Sequence, residues 1–434
     1  MMSIHHEFIQ SMQPKLVKWR RHFHRNPELG FMEYETTYAI GKELEALGFT
    51  LYIGRDALKS TSRYGVPSSK EIQQHEANVS SSMEESWLQK MNGGHTGLAA
   101  VWDTGRIGDH LAFRFDIDAL PIEEKADDQH LPYKEGFHSQ NPGVMHACGH
   151  DGHTAIGLGL AHFIATHTSE LNGKFTFLFQ PAEEGGRGAK AMTDKGWLND
   201  VDYFYSGHIG IQDLPLGTVA ASTKGFLASS KWNVTFKGQS SHAGMKPEDG
   251  RNALLAAATA ATQLYAIPRH SEGVSRVNVG KLTAGNGRNI ISDYGYIELE
   301  TRGETKSIND YMQKEASRMI RASADMHHVE STIDFVGETE PMVCDDETIS
   351  TIKESCGSSS MIKHIINTAQ VSGSEDASFM MNVVQSHGGK ATYMLFGTRL
   401  SDNHHSPAFD YEEEVLPVAL DTYIHIVKGG HSLE

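Results

Sequence analysis

The chain has 434 residues, with 38 lysines and arginines against 55 aspartates and glutamates, a formal charge of −17. That balance argues against nucleic acid and anionic membrane surfaces as general partners. Hydrophobic content of 39% and charged content of 21% are those of a globular enzyme, and the length suggests two or three domains.

Three cysteines, Cys148, Cys344 and Cys356, are too few for a disulfide framework and fit a reducing compartment. Residues 1–25 are charged and amphipathic without the apolar core of a signal peptide, and no apolar run reaches the roughly 18 residues a membrane span needs. The expectation is a cytoplasmic protein with no membrane association.

In chain order, Phe8, Ile9, Met12, Leu16, Trp19 and Phe23 recur at helical spacing, and Pro27 and Gly30 break the helix. A second helix is predicted over 33–47, with Gly48 placed as its C-cap. Residues 54–95 are rich in Ser, Glu, Gln and Lys, with a polar surface helix predicted over 71–91. So long an excursion reads as an interaction element or a tolerated insertion.

Short apolar runs follow at 97–102, 110–115, 174–179, 201–206 and 391–396, each ending in polar residues, with helices predicted over 155–167 and 187–196. This pattern predicts an α/β fold, a largely parallel sheet with helices on both faces. Polar residues at the carboxyl ends of such strands sit where open α/β sheets place their active sites. From about Gly225 the pattern changes to alternating strands at 231–236, 276–282, 294–302 and 329–336 with helices at 252–265 and 308–326, the order of a split βαβ module. The predicted organisation is one domain over 1–224 and 338–434, with an inserted α+β domain over 225–337.

The densest chemistry lies at 145–153, Met-His-Ala-Cys-Gly-His-Asp-Gly-His. A thiolate and imidazoles packed this closely suit a borderline-soft divalent cation, and Gly149 and Gly152 allow tight turning. Glu183 and Glu184 follow the run at 174–179, His208 ends the run at 201–206, and His404 and His405 close the series. Each alone has an ordinary reading as a solvated carboxylate pair or a structural histidine. Together they supply enough ligands for two divalent cations, a set that clamps the oxygens of a hydrolysis. A cysteine nucleophile using Cys148, and a metal-binding subunit without activity, are the competing classes.

The motifs at 114–120 (Arg-Phe-Asp-Ile-Asp-Ala-Leu), 146–153, 180–185 (Gln-Pro-Ala-Glu-Glu-Gly), 207–208, 241–244 (Ser-His-Ala-Gly) and 404–407 (His-His-Ser-Pro) together resemble the M20 metallopeptidases, in particular the amidohydrolase branch with a bridging cysteine. The resemblance covers essentially the whole chain. It implies a zinc-peptidase-like catalytic domain with an inserted lid and dimerisation domain. It further implies Cys148, His150, Glu184, His208 and His405 as ligands of two divalent cations, manganese first and zinc as the alternative. By the same resemblance Glu183 is the general base, Asp118 and Asp151 orient metal-binding imidazoles, and His242 donates to the oxyanion, in cis or across from a partner. Asn289 (or Arg288 beside it) and Arg302 are implied to hold the substrate carboxylate. His146 and His153 are left with packing roles. The implied substrate is an N-acyl-glutamate, p-aminobenzoyl-glutamate, with indole-acetyl or hippuryl conjugates as the alternative. A homodimer or a heteromer with a homologous subunit is implied.

Overall fold

The computed structural model describes residues 4–429. The reading of the first 25 residues therefore extends over 1–3, which lie outside the described residues.

An eight-stranded sheet forms the body, in the order Thr50–Ile53, Leu98–Asp103, Lys174–Gln180, His110–Asp116, Tyr203–Ile209, Lys390–Phe396, Thr218–Phe226, His364–Gly373. Its centre is parallel: His110–Asp116 runs with Lys174–Gln180 and Tyr203–Ile209, which runs with Lys390–Phe396. Side-chain alternation sends Phe113, Phe115, Phe177 and Phe179 to one face, into a core shared with the helices Ile4–Arg25, His150–Thr166 and Val415–Lys428. Ala112, Leu178, Phe204 and Leu395 face the other way, against Ala189–Thr193 and Ala377–Ser386. Strands buried on both faces explain why these runs read as continuously apolar.

Helix His150–Thr166 lies close against this sheet on one side and the first helix on another because two positions have no Cβ. A Cβ on Gly157 would meet the Phe115 ring at 2.7 Å, and one on Gly159 would meet Leu16 of the first helix at 2.8 Å.

Three strands escape the sequence pattern. Thr50–Ile53 has four residues, Thr218–Phe226 is rich in alanine, serine and threonine, and His364–Gly373 is an edge strand with mixed exposure. The helix predicted over 71–91 is two, Ser69–Val79, opened by a Ser68–Glu71 capping box, and Glu85–Met91. Nor is this segment a polar surface element: Ile72, Val79, Trp87 and Met91 are buried, and Trp87 fills the space beside Gly41.

A second, antiparallel sheet runs Glu330–Thr339, Ala228–Lys237, Tyr294–Gly303, Ser275–Ala284. Trp232, Val234, Phe236, Val277, Ile297 and Leu299 point from one of its faces into a core of their own with helices Ala253–Leu264 and Lys306–Met326. Its other face carries Lys231, Glu300 and Arg302. No described helix is long and apolar enough to cross a membrane.

The first helix is fastened to the body by buried charge. Arg20, fully buried, donates to Asp151 at 3.1 Å and to Glu413 at 3.2 Å, and also pairs with Asp410. His24, also buried, lies 2.8 Å from Asp151 and 3.0 Å from Glu124. Burial alone would lower the His24 pKa, but hydrogen bonds to these two carboxylates outweigh it and raise the value to about 8. A raised folded-state pKa contributes stability that is complete below the unfolded value near 6.5 and is lost as pH rises through about 8. Thermal melting is therefore expected to fall between pH 6.5 and 8.5, by a His24 contribution of about 2 kcal/mol. A His24→Gln variant should have a flatter profile over the same range; an unchanged slope would exclude His24 as its source.

Candidate metal centre

The parallel strands end on one edge of the sheet, and the turns leaving them build the site. After Gln180 the chain passes through Ala182 in a left-handed conformation (φ 51°). Buried Glu33 holds that turn by accepting the Ala182 N–H at 2.7 Å. The Asp118 carboxylate accepts the N–H groups of Glu183 and Glu184, both at 3.0 Å. Two successive carboxylates are thereby aimed into the cleft by backbone fixed on both sides.

The Cys148 turn is built differently. Gly149 takes φ 93°, a conformation that favours glycine, and His150 opens the following helix. Gly152, expected to help the chain turn, is helical; its missing Cβ makes room for the Tyr411 hydroxyl, which a Cβ would meet at 2.3 Å. His150 Nδ1 donates to the Asp118 carbonyl at 2.8 Å, so its Nε2 faces the carboxylates of Asp116 and Glu183. His208 Nδ1 donates to the Ile209 carbonyl at 2.8 Å and turns Nε2 to within 3.5 Å of Cys148 Sγ. His405 sits at φ 66°, its N–H held by the Ala147 carbonyl at 2.8 Å, with Nε2 3.2 Å from Glu184 Oε1.

Donor atoms of Cys148, Glu184 and His405 lie within 4.8 Å of one another, as do those of His150, Glu183 and Glu184, and those of Cys148, His208 and His404. Cys148 and Glu184 each belong to two of these groups. The five expected ligands therefore converge, and Glu183 stands beside them.

The chemistry of the set fits cations. Buried His150 Nε2 and Glu184 Oε1 have no hydrogen-bond partner, a costly state that a metal ion would relieve. Burial and then the Glu184 carboxylate push the Cys148 thiol well above its usual range, so a thiolate here needs positive charge beside it. Burial lowers the pKa of His208, keeping it a neutral donor. The Glu183 carboxyl is pushed up by burial and then by Glu375, Glu184 and Asp376, which suits a group that must accept a proton.

Of the remaining residues, Asp151 departs from its expected role. Asp151 touches no metal-binding imidazole; it bonds Arg20, His24 and the Tyr411 hydroxyl. An arginine and a histidine from the first helix and a tyrosine from near the C-terminus leave its carboxylate no free edge for the centre. Asp118 does meet His150, its Oδ1 at 3.3 Å, but its stronger contacts are to the Glu183 and Glu184 backbone. His153 has both nitrogens engaged, Nδ1 with Asp116 at 2.5 Å and Nε2 accepting the Ile209 N–H at 2.9 Å. His146 is buried with neither nitrogen bonded, and burial lowers its pKa to about 4. His404 Nε2 lies 3.3 Å from the Ile209 carbonyl.

The cleft around the centre, about 460 Å³, is also lined by Lys231, Arg302, Ser374 and Glu375. Arg302 reaches it while its fork binds Glu300 at 3.0 and 3.1 Å. His242 and Asn289 are not among the lining residues: they are exposed neighbours on a two-residue ladder where Ser241–His242 pairs with Ile290–Ile291.

Sequence reasoning missed a buried network behind Glu183. Arg114 binds Asp116 at 2.7 Å, Glu375 at 2.9 Å and Asp376 at 3.1 Å, and donates to Gln180. Burial, only partly offset by Arg114, raises the Asp376 pKa to about 7. The available signal was an arginine inside an otherwise apolar strand, a placement that requires buried partners.

Residues 112–429 match the family model described as Peptidase family M20/M25/M40. An indole-3-acetyl-aspartic acid hydrolase of Enterobacter agglomerans is 44% identical over 427 residues, covering 97% of each chain. One subunit of the p-aminobenzoyl-glutamate hydrolase of Escherichia coli K12 is 43% identical over 419 residues, 96% of each. The crystal structure of an aminobenzoyl-glutamate utilization protein from Klebsiella pneumoniae aligns over 97% of both chains with a TM-score of 0.84 and 38% identity. With a family match over most of its length, and relatives this similar from end to end, the chain belongs to the M20 peptidases and is a hydrolase of that family's amidohydrolase type.

Proposed function

We propose that this protein hydrolyses the amide joining an aromatic acyl group to the amino group of an acidic amino acid, with p-aminobenzoyl-glutamate as its substrate. The observation that carries the reading is the convergence of Cys148, His150, Glu184, His208 and His405 on one cleft, with Glu183 beside them, its Oε2 3.9 Å from His150 Nε2. The relatives' names add that one acts on a glutamate conjugate and another on an aspartate conjugate. Indole-3-acetyl-aspartate is the second reading, favoured by the relative that acts on it.

Cys148, His150, Glu184, His208 and His405 would hold two cations, as the grouping of their donor atoms supports. Manganese is our assignment, with zinc as the alternative, since the same thiolate and imidazoles bind both. When bound, the cations polarise the scissile carbonyl and acidify a water. Glu183 takes the water's proton and returns one to the leaving amine nitrogen, its pKa held up by burial and by Glu375. Asp118 keeps Glu183 and Glu184 in register through their N–H groups.

His242 and Asn289 stand outside the cleft on an exposed edge. We assign them to the oxyanion and the substrate carboxylate across a subunit boundary, in a homodimer or beside a homologous subunit. That the Escherichia coli relative is named as one subunit of its enzyme supports the second arrangement. Arg302, which does line the cleft, is assigned to the substrate carboxylate. Three free cysteines support a cytoplasmic location.

The direct test is turnover of p-aminobenzoyl-glutamate, indole-3-acetyl-aspartate and hippurate by protein loaded with manganese or zinc. A dominant rate on hippurate would overturn the assignment to acidic amino acids. Glu183→Gln is expected to keep its metal, measured by elemental analysis, while kcat drops by about 10²–10⁴; an unchanged kcat would refute the base. Cys148→Ser should instead lose bound metal first, seen as a stoichiometry below that of wild type at equal metal concentration.

A further inference from the structure

A second cavity opens beside the metal cleft, and apart from Arg302, which lines both, its residues have no part in the mechanism above. It encloses about 400 Å³ and shares Arg302, Ser372 and Gly373 with the cleft, adding Arg276, Asn278 and Glu300. A Cβ on Gly373 would meet no atom within 4 Å, so the boundary at this residue is open space.

The charge pattern is unusual for so acidic a chain. Arg276 stands directly opposite Arg302 in the antiparallel register, and Lys231, on the strand at the other side, stands directly opposite Glu300. Cross-strand partners share a face, and Glu300 and Arg302 are two residues apart, so all four side chains leave one face of the sheet. In the cavity's own lining two arginines thus accompany one carboxylate, with Lys231 beside them on the metal-cleft side. Glu300 is committed to Arg302 through both oxygens. Among the described residues Arg276 has no ion-pair partner. Like charges placed opposite each other on a sheet are destabilising; an anion between them reverses that cost.

We propose that this side cavity is the subsite for the side-chain carboxylate of an acidic amino acid, with Arg276 as its specificity-determining residue. The inference rests on the hydrolase reading above and names what that reading leaves open, the means by which aspartate or glutamate conjugates are selected. The substrate's α-carboxylate at Arg302 places the amino-acid side chain at the shared wall, and Arg276 then receives its carboxylate in a fork. The aromatic acyl group is excluded from the cavity, because Leu227 is the one large apolar lining residue whose side chain is not turned into the sheet's core.

The experiment compares N-(4-aminobenzoyl)-L-glutamate with the near-isosteric N-(4-aminobenzoyl)-L-glutamine, on metal-loaded wild type, Arg276→Gln and Arg276→Lys. Wild type is expected to favour the glutamate conjugate at least tenfold in kcat/KM. Arg276→Gln should lose about tenfold or more on that conjugate, through KM, and less than twofold on the glutamine conjugate; Arg276→Lys should recover part of the loss. Retained selectivity in Arg276→Gln, or equal turnover of both conjugates by wild type, would overturn the subsite while leaving the hydrolase reading intact. Equal losses on both conjugates would overturn it too, as damage to the fold or the centre. Turnover of neither conjugate by wild type would overturn the parent reading and the subsite together.

Discussion

Asp118 ties together the two turns on which the centre depends. Its carboxylate receives the N–H groups of Glu183 and Glu184, and its carbonyl receives Nδ1 of His150. One residue at the end of one strand thereby sets the direction of two carboxylates from a second strand and an imidazole from a helix. The arrangement is stiff because every link ends on backbone, and backbone groups cannot rotate away as side chains do. Glu33 adds the last restraint by holding the N–H of Ala182, the residue whose left-handed conformation swings the Glu-Glu pair toward Cys148.

Around this joint the protein buries an unusual amount of charge, and it does so in matched groups. Arg114 balances Asp116, Glu375 and Asp376 behind Glu183, while Arg20 and His24 balance Asp151, Asp410 and Glu124 behind the Cys148 turn. Removing one member of such a group strands the others without water, which is why paired buried charges are strongly interdependent. The two networks flank the centre, one under each ligand-bearing turn. Positions on the first helix, such as Arg20, are thus connected to the site through Asp151, the immediate neighbour of His150.

The antiparallel sheet contributes a polar face rather than ligands. Its apolar face is consumed by its own two helices, which leaves Lys231 and Arg302 on the other face to line a cleft that the other sheet makes acidic. Cations from one sheet and the cysteine, histidine and glutamate cluster of the other thus face the same cleft. The segment 54–95 touches this arrangement as well. The Tyr64 hydroxyl donates to Glu338 at 3.1 Å, and the Arg187 side chain, bonded to the Glu184 carbonyl at 2.8 Å, packs against Gly65. A stretch that reads as a polar excursion is therefore part of the packing between the sheets.

The amino-acid sequence by itself determined the parallel core, the split βαβ order and the ligand-type residues, because burial on both faces and strand-end chemistry leave marks within short windows. Phe175, Phe177 and Phe179 had to be buried, Cys148 was conspicuous in the dense 145–153 cluster, and Glu184 and His208 were conspicuous at strand ends. Only the tertiary structure decided which groups share a centre. Both His404 and His405 reach it, His153 spends its two nitrogens on Asp116 and Ile209, and Asp151 turns away to Arg20. It also separated His242 and Asn289 from Arg302, and set Arg276 against Arg302 across two strands. The physical reason is range. Periodicity and turn chemistry act over a few residues, whereas charge pairing and metal geometry depend on distances between segments hundreds of positions apart, which folding alone fixes.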